Sequence, residues 1–98
     1  MARKIIWTRR AHKKFALIVD YLSQEWGNAV AKDFITKTFD LVDLLADYPH
    51  IGSIEVKEKS IRGLLISSHN RLFYSVSAHK IIVLNIFDTR MNSKRTTI

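Results

Sequence analysis

The sequence has no cysteine, one proline and three glycines. The absence of cysteine excludes disulfide bonds, thiolate zinc sites and a cysteine nucleophile, and it is typical of a reducing compartment such as the cytoplasm. No apolar run reaches the ~18 residues of a membrane-spanning helix, so no contact with a membrane is expected. Repeats, low-complexity segments and internal linkers are also absent, and residues 1–98 are therefore predicted to form a single domain.

The charge is unevenly distributed along the chain. Lysine and arginine number 16 against 9 aspartates and glutamates, which gives a net charge of +7. Residues 1–14 carry six cations and no anion, residues 15–54 are net −4, and residues 59–98 are net +6. Basic ends around an acidic middle favour binding to a polyanion or to an acidic protein partner. The alternative is a basic protein whose charge only keeps it in solution.

Two amphipathic helices are predicted in the first half of the chain. Apolar residues recur at steps of three and four over Arg9–Trp26, and Thr8 is a suitable N-cap for this helix. Gly27 breaks the pattern, and Asn28 is the predicted N-cap of a second helix over about residues 29–47. Because about two residues join them, the helices must fold back as an antiparallel hairpin.

The remaining segments predict an α+β fold with the order β-α-α-β-β-β. Strands are predicted at residues 4–8, 62–67, 71–76 and 81–87. Residues 53–60 are interpreted as a loop with at most a weak strand at 54–56. Short connections make the last three strands an antiparallel meander. The helical hairpin should therefore pack on one face of a mainly antiparallel sheet of about four strands, leaving the other face partly open.

Most polar and aromatic residues give weak functional signals. The four histidines have no metal-ligand spacing, and neither a glycine-rich phosphate loop nor an HExxH motif occurs. No metal or cofactor is therefore predicted. Trp7, Trp26 and Phe34 are predicted to pack in the core or the hairpin rather than to stack on bases.

Arginines at strand ends are the strongest candidates for a site. Arg62 and Arg71 open two strands of the meander, and Arg90 follows the third. If the three guanidinium groups converge on one sheet face, they would bind a phosphodiester and stabilise negative charge in its transition state. The residues alone leave a second interpretation open, in which each arginine is a solvated strand-end residue or the partner of Asp88 or Glu55.

A series of short motifs runs through nearly the whole chain. They are Ile6-Trp7-Thr8 with Ala11, Tyr21-Leu22 before Trp26-Gly27, Ala31 with Phe34-Ile35, Tyr48-Pro49-His50-Ile51-Gly52, Ile61-Arg62, Asn70-Arg71-Leu72-Phe73-Tyr74-Ser75-Val76 and Ile86-Phe87-Asp88-Thr89-Arg90-Met91-Asn92. In order and spacing this series resembles the RelE/ParE superfamily of bacterial toxins from type II toxin–antitoxin modules. The resemblance implies the same β-α-α-β-β-β order as the periodicity predicts.

The resemblance implies two alternative activities. RelE-like members cut mRNA in the ribosomal A site without a metal, through attack of a ribose 2′-hydroxyl on the adjacent phosphate. ParE-like members inhibit DNA gyrase and need no such catalytic residues. The helical hairpin and the Pro49-x-x-Gly52 break are similar to ParE, whereas the Arg-Leu-Phe-Tyr strand is similar to RelE. The RelE-like activity, a metal-independent endoribonuclease that blocks translation, is the preferred expectation, with gyrase inhibition as the alternative.

The resemblance also implies roles for individual residues. Arg71 matches the strand arginine of the RelE group, Arg90 the arginine after the last strand, and Arg62 a basic position on the preceding strand. Leu64 stands where RelE itself carries a second lysine, and no tyrosine follows Arg90.

Arginine cannot act as a general base near neutral pH, so a catalytic site would need another group. The base would be His69, Lys59 or Asp88, or a group of the ribosome. His69 is the best candidate by type, because histidine titrates near neutrality; its alternative role is that of an ordinary turn residue. Lys59, Lys94 and Arg95 are predicted to contact nucleic acid. The expected partners are a cognate antitoxin together with the ribosome and mRNA, or with DNA gyrase in the alternative.

Overall fold

The computed structural model describes residues 2–91. It contains two α-helices and five β-strands, with a short 3₁₀ turn at Lys57–Lys59. In chain order they are β1 (Lys4–Trp7), α1 (Arg9–Trp26), α2 (Asn28–Asp47), β2 (Ser53–Val56), β3 (Ile61–Ser67), β4 (Asn70–Val76) and β5 (Lys80–Asp88). The predicted α+β class and order are confirmed, and the segment after α2 forms an additional strand.

The five strands form one sheet in the order β1-β5-β4-β3-β2. β1 runs parallel to β5, and every other neighbouring pair is antiparallel. The sheet has five strands rather than about four because Ser53 and Ile54 pair with Gly63 and Arg62 of β3. The short polar segment that periodicity could not classify is therefore an edge strand.

The helix boundaries agree closely with the sequence prediction, except at the second N-cap. Thr8 caps α1 as predicted, since its Oγ1 accepts a hydrogen bond from the Ala11 backbone N–H at 3.0 Å. The predicted cap at Asn28 is wrong: α2 starts at Asn28, and the preceding Gly27 has a φ of 99°, a conformation that favours glycine. The Asn28 side chain instead accepts a hydrogen bond from Ser23 Oγ.

The core lies between the helical hairpin and one face of the sheet. Ile18, Leu22 and Leu45 from the helices are fully buried with Leu72 and Ile86 from the sheet. This apolar layer is the main stabilising contribution, at roughly 25 cal/mol for each Å² removed from water. Within residues 2–91 no helix covers the opposite face of the sheet, which was predicted to be partly open. Neither described helix combines the length and apolarity needed to cross a membrane.

The aromatic residues divide between the core and the surface. Trp7, Phe15, Phe34 and Phe39 form a chain of ring contacts with centroids 5.4 to 6.1 Å apart. Of the two positions predicted for Trp26, the core is excluded, because this residue is 54% exposed. It is the last residue of α1, and the Arg90 guanidinium lies 5.6 Å from the centroid of its ring.

Candidate functional site

Arg71 projects from the open face of the sheet. On β4 it alternates with the buried Leu72 and Tyr74, and its register partners are Leu65 and Phe87. The Nη2 atom of Arg71 lies 2.5 Å from Glu55 Oε2, so the two side chains form an ion pair across strands β2, β3 and β4. The guanidinium is therefore already neutralised by a carboxylate of the edge strand.

The Arg71–Glu55 pair lies directly over Gly63. A Cβ atom at Gly63 would come within 2.9 Å of Glu55 Oε2 and 3.0 Å of Arg71 Nη2. Ser53 Oγ donates to the same Glu55 oxygen at 3.0 Å. The hydrogen bond from Arg71, and then that from Ser53, lowers the pKa of the Glu55 carboxyl below its ordinary value of 4.5. Glu55 is thus held as an anion at neutral pH.

Arg90 belongs to a second, more buried cluster at the end of β5. Its Nη2 lies 3.0 Å from Asp88 Oδ2, and Asp88 is completely buried. The Asp88 carboxylate also accepts hydrogen bonds from the backbone N–H groups of Arg90 and Met91, at 2.8 and 3.1 Å, and from the Asn70 amide. This carboxylate ties the end of β5 to the start of β4, and Arg90 supplies its counter-charge.

Arg62 faces the helices rather than the open face. Its register partner on β4 is the buried Tyr74, and residues directly opposite each other in an antiparallel pair project from the same face. Arg62 Nη1 donates to the backbone carbonyl oxygens of His50 at 3.2 Å and Gly52 at 2.7 Å. The guanidinium therefore holds the turn between α2 and β2.

The three arginines consequently do not form one cationic pocket, and the interpretation in which they converge on one sheet face is not the one observed. Arg62 and Arg71 lie on opposite faces of the sheet, and Arg90 lies beyond the end of β5, on the helix side. The alternative that the sequence left open is the one observed for two of them, since Glu55 pairs with Arg71 and Asp88 with Arg90.

His69 shares a cavity with Arg90. The cavity has a volume of about 160 Å³ and lies between the β3–β4 turn and the first half of α2. Lys37 of α2 also lines it, although its Nζ is 3.1 Å from Asp33 Oδ2. His69 is exposed and its Nδ1 lies 3.3 Å from Ser68 Oγ. Two of the predicted catalytic residues therefore line a common space.

Lys59, the one predicted nucleic-acid contact within the described residues, does not lie beside His69 and Arg90. Lys59 ends the 3₁₀ turn before β3, whereas His69 lies in the turn after β3, at the other end of that strand. Lys94 and Arg95 lie outside the described residues. Within the described range, no group of three or more histidines, aspartates or glutamates is arranged to hold a metal ion.

The open face carries an aromatic pair that the sequence did not single out. Phe73 and Phe87 meet edge to face with centroids 5.7 Å apart. A cation lies over each ring: Lys14 Nζ is 4.6 Å from the Phe87 centroid, and the Arg71 guanidinium is 5.6 Å from that of Phe73. The contact between Phe73 and Phe87 could not be predicted from the sequence, because it depends on the register between β4 and β5.

The class of protein follows from the fold, in which a helical hairpin packs on a five-stranded sheet with the order β1-β5-β4-β3-β2. Residues 5–93 match the family of the ParE toxin of the type II toxin–antitoxin system parDE. The chain belongs to this family, and the resemblance to the RelE/ParE superfamily is confirmed. It is a toxin of a type II toxin–antitoxin system. No curated protein sequence matches it significantly.

Several solved structures share the fold. A chain of the chromosomal ParDE toxin–antitoxin system from P. aeruginosa has a TM-score of 0.72 at 21% identity, over 89% of this chain and 96% of that chain. The YoeB/ParE toxin from Agrobacterium tumefaciens has a TM-score of 0.62 at 14% identity, over 87% and 96%. A chain of the E. coli DinJ-YafQ toxin–antitoxin complex has a TM-score of 0.64 at 13% identity, over 93% and 97%. At these identities the likeness establishes the fold.

Proposed function

We propose that this toxin inhibits DNA gyrase by binding to it and does not cut RNA. The observation that carries the proposal is the neutralisation of Arg71 by Glu55 and of Arg90 by Asp88. A guanidinium that already hydrogen-bonds a carboxylate has to give up that partner before it can stabilise charge on a scissile phosphate. Membership of the ParE toxin family supports the same conclusion.

The arrangement of the other polar groups also favours a binding function. Metal-free cleavage of RNA needs a base, a nucleophile and charge-stabilising donors within a few ångströms of one phosphate. His69 lies near Arg90, but Arg71 projects from the opposite face of the sheet. The residues expected to cooperate in cleavage are thus divided between two surfaces.

Two assays on the same purified protein test this proposal. We expect gyrase supercoiling to be inhibited at toxin concentrations that leave ribosome-bound message intact. Cleaved message together with unimpaired supercoiling would overturn the proposal. The toxin bound to its antitoxin is the matched control, because it contains the same folded chain.

Ribosome-dependent mRNA cleavage is the second candidate, and the cavity shared by His69 and Arg90 favours it. His69 would accept the 2′-hydroxyl proton, and Arg90 would bind the phosphate after exchanging Asp88 for it. Replacing a general base typically costs about 100- to 10,000-fold in rate, so His69→Ala should lose cleavage to that extent. His79→Ala, a change at an exposed histidine in the β4–β5 turn, is the control. Equal rates for both variants would remove His69 from the mechanism.

A cognate antitoxin is the partner proposed for either activity. The net charge of +7 favours an antitoxin segment rich in carboxylates, which would order as it binds. Both candidate targets lie in the cytoplasm, where we expect the toxin to act. Co-expression of the neighbouring reading frame should abolish toxicity and yield a complex that dissociates more readily at high salt.

A further inference from the structure

Arg62 differs from Arg71 and Arg90 in having no carboxylate partner. Among residues 2–91 the ion pairs join Lys37 to Asp33, Arg71 to Glu55 and Arg90 to Asp88. Arg62 is half-buried, and its hydrogen-bond partners are two backbone carbonyl oxygens. A guanidinium held at the edge of the core with only neutral partners retains its full charge and favours an anionic ligand.

The backbone contacts orient this guanidinium. Both hydrogen bonds use Nη1, so the edge formed by Nε and Nη2 has no partner within the described part of the chain. That edge is one that binds the two oxygens of a carboxylate in parallel. The turn that grips Nη1 is itself fixed, because the buried Tyr74 hydroxyl donates to Pro49 O at 2.8 Å and accepts from Gly52 N–H at 3.0 Å.

An open cavity of about 190 Å³ lies beside Arg62, bounded on one side by the edge strand β2. His50 and Lys57 add further basic groups to its lining, and no carboxylate lines it. Its apolar walls are Ile54, Ile61 and Val76. The space therefore combines an oriented cation with apolar surface that could cover the methylene groups of a glutamate.

We propose that this cavity, the Arg62 pocket, binds the carboxylate of an acidic side chain from a protein partner. The surroundings favour a protein over a nucleic-acid backbone, because Ile54 in the lining is 56% exposed, and Tyr48 and Ile51, which lie on either side of the lining residue His50 along the chain, are 60% and 46% exposed. Arginine anchors set among exposed apolar residues are typical of protein interfaces. The net charge of the toxin attracts an acidic partner. The inference holds for either candidate activity.

The pocket is tested with three probes on the full-length toxin followed by NMR. They are a blocked peptide of alternating leucine and glutamate, its leucine–glutamine counterpart, and inorganic phosphate. The glutamate peptide should saturate, shifting the backbone amides of residues 60–62 and the Arg62 Nε–H. Equal binding of the glutamine peptide, saturation by phosphate alone, or shifts confined to another surface would each contradict the proposal.

Variants separate the role in binding from the role in holding the turn. Arg62→Gln should weaken the glutamate peptide at least tenfold, whereas Arg10→Gln, an exposed change on α1, should leave binding unchanged. Arg62→Gln also removes the two hydrogen bonds that hold the turn between α2 and β2, so Lys57→Glu provides a second measurement. It leaves Arg62 in place, adds a competing carboxylate beside the pocket, and should weaken the peptide several-fold. Wild-type affinity in Lys57→Glu would reject the pocket.

Discussion

The Arg90–Asp88 and Arg71–Glu55 pairs have the same chemistry in different surroundings. Asp88 is completely buried and the side chain of Arg90 is 16% exposed, whereas Arg71 and Glu55 expose 37% and 32% of their side chains. Burial makes the first pair part of the fold, because an uncompensated charge inside a protein is costly. The second pair is screened by water and contributes little to stability.

The hydrogen bonds around the two carboxylates reinforce this difference. Asp88 accepts from two backbone N–H groups as well as from the Asn70 amide and Arg90, and it joins the ends of two strands. Glu55 accepts only from side chains, those of Arg71 and Ser53. Asp88 is thus held in place by the backbone, whereas Glu55 is held by side chains alone.

Removing the buried carboxylate should have the largest effect on stability. Asp88→Asn leaves Arg90 without a counter-charge and takes an acceptor from several donors at once. Breaking a buried ion pair from one side typically costs about 3–5 kcal/mol in the free energy of unfolding. Urea unfolding measures this loss. The control is Asp33→Asn, whose carboxylate forms an exposed pair with Lys37 and should cost less than about 0.5 kcal/mol. Similar losses in both variants would contradict a structural role for Asp88.

The buried hydroxyl of Tyr74 should also contribute to the free energy of unfolding, although it carries no charge. Tyr74→Phe leaves the Pro49 carbonyl and the Gly52 N–H without their partner, which should cost about 1–3 kcal/mol. Burial raises the pKa of Tyr74 above its ordinary value of 10.0. The stability from this hydroxyl is therefore complete below pH 10 and is lost as the pH rises through the higher folded pKa.

Unfolding of wild type and Tyr74→Phe between pH 7 and 11 checks both parts of this prediction. Tyr48→Phe, at a residue that is 60% exposed, should change stability very little. A difference between wild type and Tyr74→Phe that stays constant up to pH 11 would show that the hydroxyl is not responsible for it.

The sequence was sufficient wherever the relevant interaction is local. Helix periodicity and the Thr8 cap predicted α1 to the residue, and alternation along β4 separates Leu72 and Tyr74, which the structure shows buried, from Arg71 on the other face. Both patterns arise within one element, from a repeat of 3.6 or 2 residues. The hairpin and the meander then followed from short connections.

Relations between elements were harder to predict. Alternation assigns faces within a strand, but whether Arg62 and Arg71 share a face depends on the register of β3 against β4, which irregular pairing near Leu65 further complicates. The strand Ser53–Val56 is exposed at all four residues, and its polar–apolar alternation is too short to predict more than a weak strand; its pairing with β3 brings Glu55 to Arg71. The partners of the three strand-end arginines could therefore not be predicted without the register and pairing of these strands.

The exposed pair should respond weakly to mutation and in a pH-dependent way. The hydrogen bond from Arg71 lowers the pKa of Glu55 in the folded protein below its ordinary value of 4.5. The pair therefore stabilises the fold fully above pH 4.5, and this contribution disappears as the pH falls through the lower folded pKa. The difference in unfolding free energy between wild type and Glu55→Gln should accordingly be small and constant near neutrality and should shrink in acid. Added salt should reduce this difference further.

Glu58→Gln, a change at an exposed carboxylate in the 3₁₀ turn, provides the matched control. A difference that grows in acid would mean that Glu55 is not held as the anion by Arg71.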